Sequence, residues 1–229
     1  MTSLARRLAA EALGTAILAA TVVGSGIMAE AMTGDRAVML LANSLATGAM
    51  LVVLITTLGP ISGAHFNPVV SLVFALRRDL TIRDAIAYVV MQTIGAIAGV
   101  ALAHAMFGLP LLQHSATVRS GSGQWLAEIV ASFGLLATII AGGRHRPDAV
   151  AGLVALYIGA AYWFTASTSF ANPALTLARA FTQSFAGIRL ADVAAFTMAQ
   201  VAGALLAAIV MGWLLTPAQR QQADASPRR

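Results

Sequence analysis

Asn67-Pro68-Val69-Val70-Ser71-Leu72-Val73-Phe74-Ala75 and Asn172-Pro173-Ala174-Leu175-Thr176-Leu177-Ala178-Arg179-Ala180 lie in register, 105 positions apart. In each, Asn is a preferred helix N-cap and proline a preferred first helical residue, so each stretch starts a helix abruptly. The apolar segments they open, 67–76 and 172–182, are each about ten residues long. Such a segment is too short to cross a bilayer and long enough to go halfway. One Asn-Pro alone is only a turn signal. Two in register, inside a chain of this composition, carry much more.

The chain has 229 residues, of which 59% are hydrophobic and 10% charged, with a mean hydropathy of +0.81. A soluble domain would carry roughly 25% charged residues. This is the composition of an integral membrane protein. Six apolar spans are predicted, at 4–30, 37–59, 84–107, 124–142, 149–168 and 192–215. The net charge of +5 and the pI near 11.0 come from arginine, since there is no lysine. A nucleic-acid partner is not implied, because the arginines fall at span ends, where the membrane orientation rule accounts for them. With the N-terminus placed in the cytoplasm, ten of the 14 arginines lie on that side and only Arg36, Arg119, Arg179 and Arg189 opposite. Both termini are therefore expected inside.

The spans repeat. Ala10-Glu11, with Thr21 ten residues beyond the Glu, recurs as Ala127-Glu128 with Thr138. Asp84, Tyr88, Gln92, Gly95 and Ala96 align without gaps on Asp192, Phe196, Gln200, Gly203 and Ala204. The pair Arg6-Arg7 before an apolar run has the form of a secretory signal, but a first span with a partner deep in the chain is expected to be retained. The reading is a first repeat at 1–107, a connecting loop at 108–123, a second repeat at 124–215 and a polar, basic tail at 216–229, forming one pore domain. Each repeat holds three full spans, an odd number, so the second enters the membrane from the opposite side. The repeats are inverted.

Inversion gives the dipeptides their meaning. Two half-length helices dip from opposite faces and their N-termini meet near the midplane. Such ends carry unpaired N–H groups and partial positive charge, tolerable at that depth only beside water or buried in protein. A pore satisfies the requirement. The Asn67 and Asn172 side-chain NH2 groups are expected to donate into its lumen, while the opposed positive ends repel cations and protons.

Ser62-Gly63-Ala64-His65-Phe66-Asn67-Pro68-Val69-Val70 and Thr168-Ser169-Phe170-Ala171-Asn172-Pro173-Ala174, with Glu11 and Glu128 in place, resemble the two re-entrant loops of the aquaporin and aquaglyceroporin (major intrinsic protein) superfamily. The resemblance covers nearly the whole chain. It implies an all-α membrane fold of six transmembrane helices plus two re-entrant half-helices, right-handed, each protomer with its own pore in a homotetramer. Two departures stand out. Val69 replaces the usual alanine of the first motif, adding two methyls where the half-helix starts are expected to touch. Leu175 occupies the position where orthodox water and glycerol channels carry a filter arginine. Counting the family's four filter positions onto this chain gives Thr47, Ala160, Ser169 and Leu175, none aromatic and none charged.

That filter is expected to be wide. It offers two hydroxyls and an apolar flank, which suits small uncharged polyhydroxy solutes, since each hydroxyl taken from water needs a partner. The run from Tyr162 to Arg179 also resembles a bacterial branch associated with arsenic resistance, whose members lack the filter arginine. The resemblance implies passage of neutral arsenite, As(OH)3, alongside glycerol-like polyols and water, in a bacterial inner membrane. An orthodox water pore is one rival reading. An inverted-repeat secondary transporter is another, although no ion-coupling carboxylate lies beside either dipeptide.

Arg179 follows Leu175 by four residues, on the same helix face one turn outward. Its guanidinium either leans back toward the filter or snorkels to the outer headgroups, and snorkelling is the expectation here. Glu11 and Glu128 are carboxyls inside spans, expected to accept hydrogen bonds from the irregular backbone before each half-helix rather than to relay protons. Gln92 and Gln200 are expected to bond between helices. His65 is expected to face the inner pore, with no partner for pH sensing; His104, His114 and His145 read as satisfied helix or loop histidines. Gly95-x-x-x-Gly99 fits either an oligomer contact or packing within the protomer. No phosphate loop, metal cluster or catalytic spacing is present, so no enzyme, metal or cofactor is expected. The absence of cysteine predicts insensitivity to mercurial reagents.

Overall fold

The computed structural model describes residues 2–216, so the tail expected at 216–229 lies, beyond Thr216, outside the described residues. Eight α-helices follow one another: α1 (Leu4–Met32), α2 (Arg36–Ser62), α3 (Pro68–Leu76), α4 (Ile82–Met106), α5 (Ser122–His145), α6 (Val150–Phe164), α7 (Pro173–Ala178) and α8 (Leu190–Leu214). Short 3-10 turns precede α6 (Pro147–Ala149) and continue α7 (Arg179–Phe181). All six long helices are apolar enough to span a bilayer. The protein is a multi-pass membrane protein of the predicted fold class. Helix starts follow the sequence: Asp35 Oδ1 accepts from the Ala37 and Val38 amides, and Thr81 Oγ1 from Asp84.

Two boundaries differ from expectation. The fifth span ends at Phe164 rather than 168, because Thr165 to Ala171 must run as irregular chain to bring Asn172 to the midplane. The second half-helix is α-helical only to Ala178 and then tightens into a 3-10 turn.

The repeat governs packing. Helix α1 packs along α4 and α5 along α8, with α2 and α6 closing the ring between the two halves. The close crossings use glycine in matching places. A Cβ on Gly95 would run into the carbonyl of Ala12, one on Gly99 into that of Ala16, and one on Gly203 into that of Ile129. Gly95-x-x-x-Gly99 therefore packs within the protomer, where missing side chains let backbones approach. His104, fully buried, bonds through Nδ1 to the Leu111 carbonyl and through Nε2 to Thr182 Oγ1, so it is satisfied as expected. The perimeter is apolar: Leu45, Ile86, Leu156, Met198 and Ile209 are all more than half exposed, the complement of a lipid phase.

Candidate functional site: a lumen between two half-helices

The site is built by two loops that carry the same backbone conformation. Ala64 and Phe66 adopt φ of 51° and 48°, and their repeat mates Ser169 and Ala171 adopt 52° and 46°. Non-glycine residues rarely hold this left-handed region. Here a buried carboxylate fixes each loop. Glu11 accepts from the His65 amide (3.0 Å), the Phe66 amide (2.7 Å), Ser62 Oγ (2.6 Å) and Gln92 Nε2 (2.8 Å). Glu128 accepts from the Phe170 and Ala171 amides (both 2.9 Å) and from Gln200 Nε2 (2.6 Å). Both carboxylates are fully buried, and charge-assisted bonds to two backbone N–H groups offset that burial. Gln92 also reaches Ser71 on α3, and Gln200 reaches Thr176 on α7, so each glutamine ties a half-helix to its carboxylate.

With the His65 and Phe170 N–H groups turned to the carboxylates, and those of Ala64 and Ser169 to Ser62 Oγ and Ser167 Oγ, the carbonyls of Ala64, His65, Ser169 and Phe170 accept no bond from any donor among the described residues. All four residues border a central cavity of about 100 Å³. That volume holds a short file of waters. The opposite wall is apolar, with Leu18, Leu51, Leu135, Val154 and Ile158.

Asn67 and Asn172 sit where the helix starts oppose. Asn67 Oδ1 accepts from the Val69 amide at 3.1 Å; Asn172 Oδ1 accepts from Ala174 at 3.0 Å and Leu175 at 3.2 Å. Pro68 and Pro173 occupy the first helical position of each half-helix. Each Asn side chain then donates across the midplane: Asn67 Nδ2 to the Ala171 carbonyl at 2.7 Å, and Asn172 Nδ2 to the Phe66 carbonyl at 2.8 Å. The expectation that both NH2 groups donate into the lumen thus needs refinement. One hydrogen of each locks the opposite loop, and the second remains for the cavity that both residues line. Val69 is 1% exposed and Ala174 2%, so the two extra methyls are accommodated in the core.

A profile of the major intrinsic protein family matches residues 1–170. The chain belongs to the major intrinsic protein family. It is 62% identical over 224 residues to "Aquaglyceroporin AqpS" of Rhizobium meliloti (strain 1021), covering 98% of this chain and 96% of that protein. It is also 28% identical over 229 residues to the lens fiber major intrinsic protein of Gallus gallus, covering 96% and 85%. The X-ray structure of the aquaglyceroporin from Plasmodium falciparum superposes with a TM-score of 0.69 at 20% identity, over 98% of this chain and 100% of that one, which shows the shared fold. As a major intrinsic protein it is a membrane channel for small uncharged solutes and not an enzyme.

Against the family's filter positions, Thr47, Ser169 and Leu175 line the cavity, and Ala160 does not. Ala160 is exposed on the perimeter, along with Leu156 and Trp163. The lumen face of α6 is Val150, Val154, Ile158 and Tyr162, one residue per turn. Tyr162 is 3% exposed, and its hydroxyl lies 3.2 Å from Thr47 Oγ1. An aromatic therefore lines the lumen where a small residue was expected.

Arg179 corrects a second expectation. It does not snorkel to headgroups; it is 4% exposed and lines the cavity. Its Nε donates to the Ala186 carbonyl, and its guanidinium carbon lies 3.3 Å from the centroid of the Phe170 ring. The 3-10 turn after α7 and the ring face together hold it inward. His65 lines the cavity, its Nδ1 3.0 Å from Ser71 Oγ and its ring packed on Phe74 and Tyr88.

Sequence reasoning did not reach Arg119. Its Nε and both terminal nitrogens donate to the carbonyls of Gly187, Ser167 and Phe185, clamping the connecting loop to the segments before and after α7. Burial pulls this guanidinium down to about 10, which leaves it charged at neutral pH. A lone arginine in a loop carries no sequence signal for such a role.

Proposed function

We propose that the chain is a passive, ungated-by-carrier-motion pore for neutral, oxygen-rich small solutes: glycerol-like polyols and metalloid hydroxides such as arsenite, with water. The observation that carries this reading is the two-sided lining of the cavity. One wall is apolar side chain; the other presents unpaired carbonyls and the Asn67 and Asn172 amides, beside Ser169, whose buried Oγ has no hydrogen-bond partner among the described residues. A solute with hydroxyls on one side and carbon or a heavy atom on the other exchanges its water contacts for that wall, whereas an ion does not recover its hydration. The 62% identity to a protein named an aquaglyceroporin supports the polyol part.

In this reading Thr47, Tyr162, Ser169 and Leu175 form the constriction, with Tyr162 taking the place first given to Ala160. Asn67, Pro68, Val69, Asn172, Pro173 and Ala174 form the midplane barrier to cations. His65 lines the inner vestibule, and Glu11 and Glu128 serve structure alone. The apolar perimeter is consistent with a homotetramer in a bacterial inner membrane, and the arginine distribution with both termini in the cytoplasm.

Stopped-flow swelling of proteoliposomes with water, glycerol and arsenite gradients tests the reading. Fluxes linear in each gradient are expected. Flux of water alone would return the protein to the orthodox water channels, and saturation or counterflow stimulation would make it a carrier.

A further inference from the structure

The channel reading leaves one group on the lumen wall unexplained. Leu175 stands where relatives carry the filter arginine, so the sequence describes an uncharged pore, yet a guanidinium lines the cavity. Arg179 reaches it from one helical turn farther along, beyond the end of α7.

Three observations converge on it. First, the side chain is anchored at its stem end only: Nε donates to the Ala186 carbonyl and the guanidinium plane rests on Phe170, while the two terminal nitrogens meet no acceptor among the described residues. Nor are those nitrogens among the buried atoms left without a partner, so they border open space. Second, no carboxylate neutralises it. No ion pair includes Arg179 among the described residues, and the nearby Glu128 is taken up by the Phe170 and Ala171 amides and Gln200. Third, the repeat places it on the lumen. Arg179 is the mate of Phe74, and Phe170 the mate of His65; Phe74 packs against His65, ring centroids 4.6 Å apart and planes tilted by 52°, and both line the same cavity. The two repeats thus place a packed pair at matching points of the wall, phenyl on imidazole in one and guanidinium on phenyl in the other.

We propose that Arg179 is the selectivity residue of this pore, a displaced filter guanidinium that donates to solute oxygens and repels cations. The proposal rests on the channel reading above. A guanidinium keeps its proton at any physiological pH and offers several donors in a rigid plane, so its terminal NH2 groups can follow a passing hydroxyl while its charge raises the barrier to a cation. Leu175 then supplies the apolar flank beneath it. The pore keeps a charge check without placing an arginine at its narrowest ring, where the longer side chain would occupy solute space.

The test compares wild type, Arg179→Ala, Arg179→Met and Arg179→Lys in proteoliposomes, with flux normalised to inserted protein. The probes are glycerol swelling, water swelling, and leak of Na+ and of the guanidinium ion. Removing the charge is expected to raise cation leak at least about tenfold in both the Ala and Met variants. The ratio of glycerol to water flux is expected to change in both as well, and the Lys variant to hold the leak near wild type. The Met variant keeps the stem against Phe170, so it decides the matter where the Ala variant does not insert. Wild-type leak and a wild-type glycerol-to-water ratio in either neutral variant would overturn the proposal; so would failure of both to fold, which would make Arg179 a structural clamp. Absence of glycerol and water flux through wild type itself would instead remove the channel reading, and the proposal with it.

Discussion

The inner and outer re-entrant loops are the same device with different side chains. Both hold three left-handed residues against a buried glutamate, both cap a half-helix with Asn-Pro, and both lend a carbonyl to the other's Asn. At the backbone they are interchangeable. At the lumen they are not. The inner loop shows His65, already paired with Ser71, and the hydrocarbon ring of Phe74. The outer loop shows the Arg179 guanidinium beside Ser169, whose buried hydroxyl has no partner among the described residues. The duplicated part is scaffold, and on the proposed reading the part that diverged carries discrimination.

Breaking the shared part should have the largest effect. Glu128→Ala strands two buried backbone N–H groups, at about 1–3 kcal/mol apiece, and Glu11→Ala strands two as well as the Ser62 hydroxyl. Thermal melts of the purified variants should fall steeply, Glu11→Ala farther; a melt at the wild-type temperature would show that these carboxylates are not the anchors. The next effect belongs to the outer loop alone. Leu175→Arg adds a second guanidinium to the constriction, and glycerol and arsenite flux should drop about tenfold or more, equivalent to about 1.4 kcal/mol of barrier. Equal flux of both solutes would mean that position 175 does not set cargo.

A smaller effect follows from Ser169→Ala, which removes a cavity-wall hydroxyl left without a partner among the described residues, worth about 1 kcal/mol. Glycerol flux should fall several-fold relative to water, while the reciprocal change in the inner loop, Ala64→Ser, should leave that ratio in place. If both shift it alike, the two loops share the work and the contrast between them dissolves. The smallest effect is none: with no cysteine in the sequence, mercurial reagents should leave water flux unchanged, and thiol-reversible block would contradict this.

The scaffold was legible because its signals are local or repeated. Asn-Pro at two points in register, Glu11 with Glu128 and Gln92 with Gln200 each predict a partner that the structure provides. Discrimination was less legible because it depends on register through irregular chain. Counting back from Asn172 to Ala160 assumes a fixed distance from the midplane to α6, whereas α6 ends at Phe164 and turns Ala160 to the perimeter. The spacing of Val150, Val154, Ile158 and Tyr162 was the better guide, since a four-residue period marks one helix face. Arg179 was misplaced for a different reason. Snorkelling is the default for an arginine near a membrane surface, and only the fold brings the Phe170 face and the Ala186 carbonyl to hold it inward.

The crossed asparagine bonds also set an order of events. They join residues 104 and 106 positions apart in the chain, and bonds of such sequence separation form only after the chain between them exists. The Phe66 carbonyl and the Asn67 amide find these partners only once the second repeat is present. The centre of the pore is thus a joint that neither repeat can close alone.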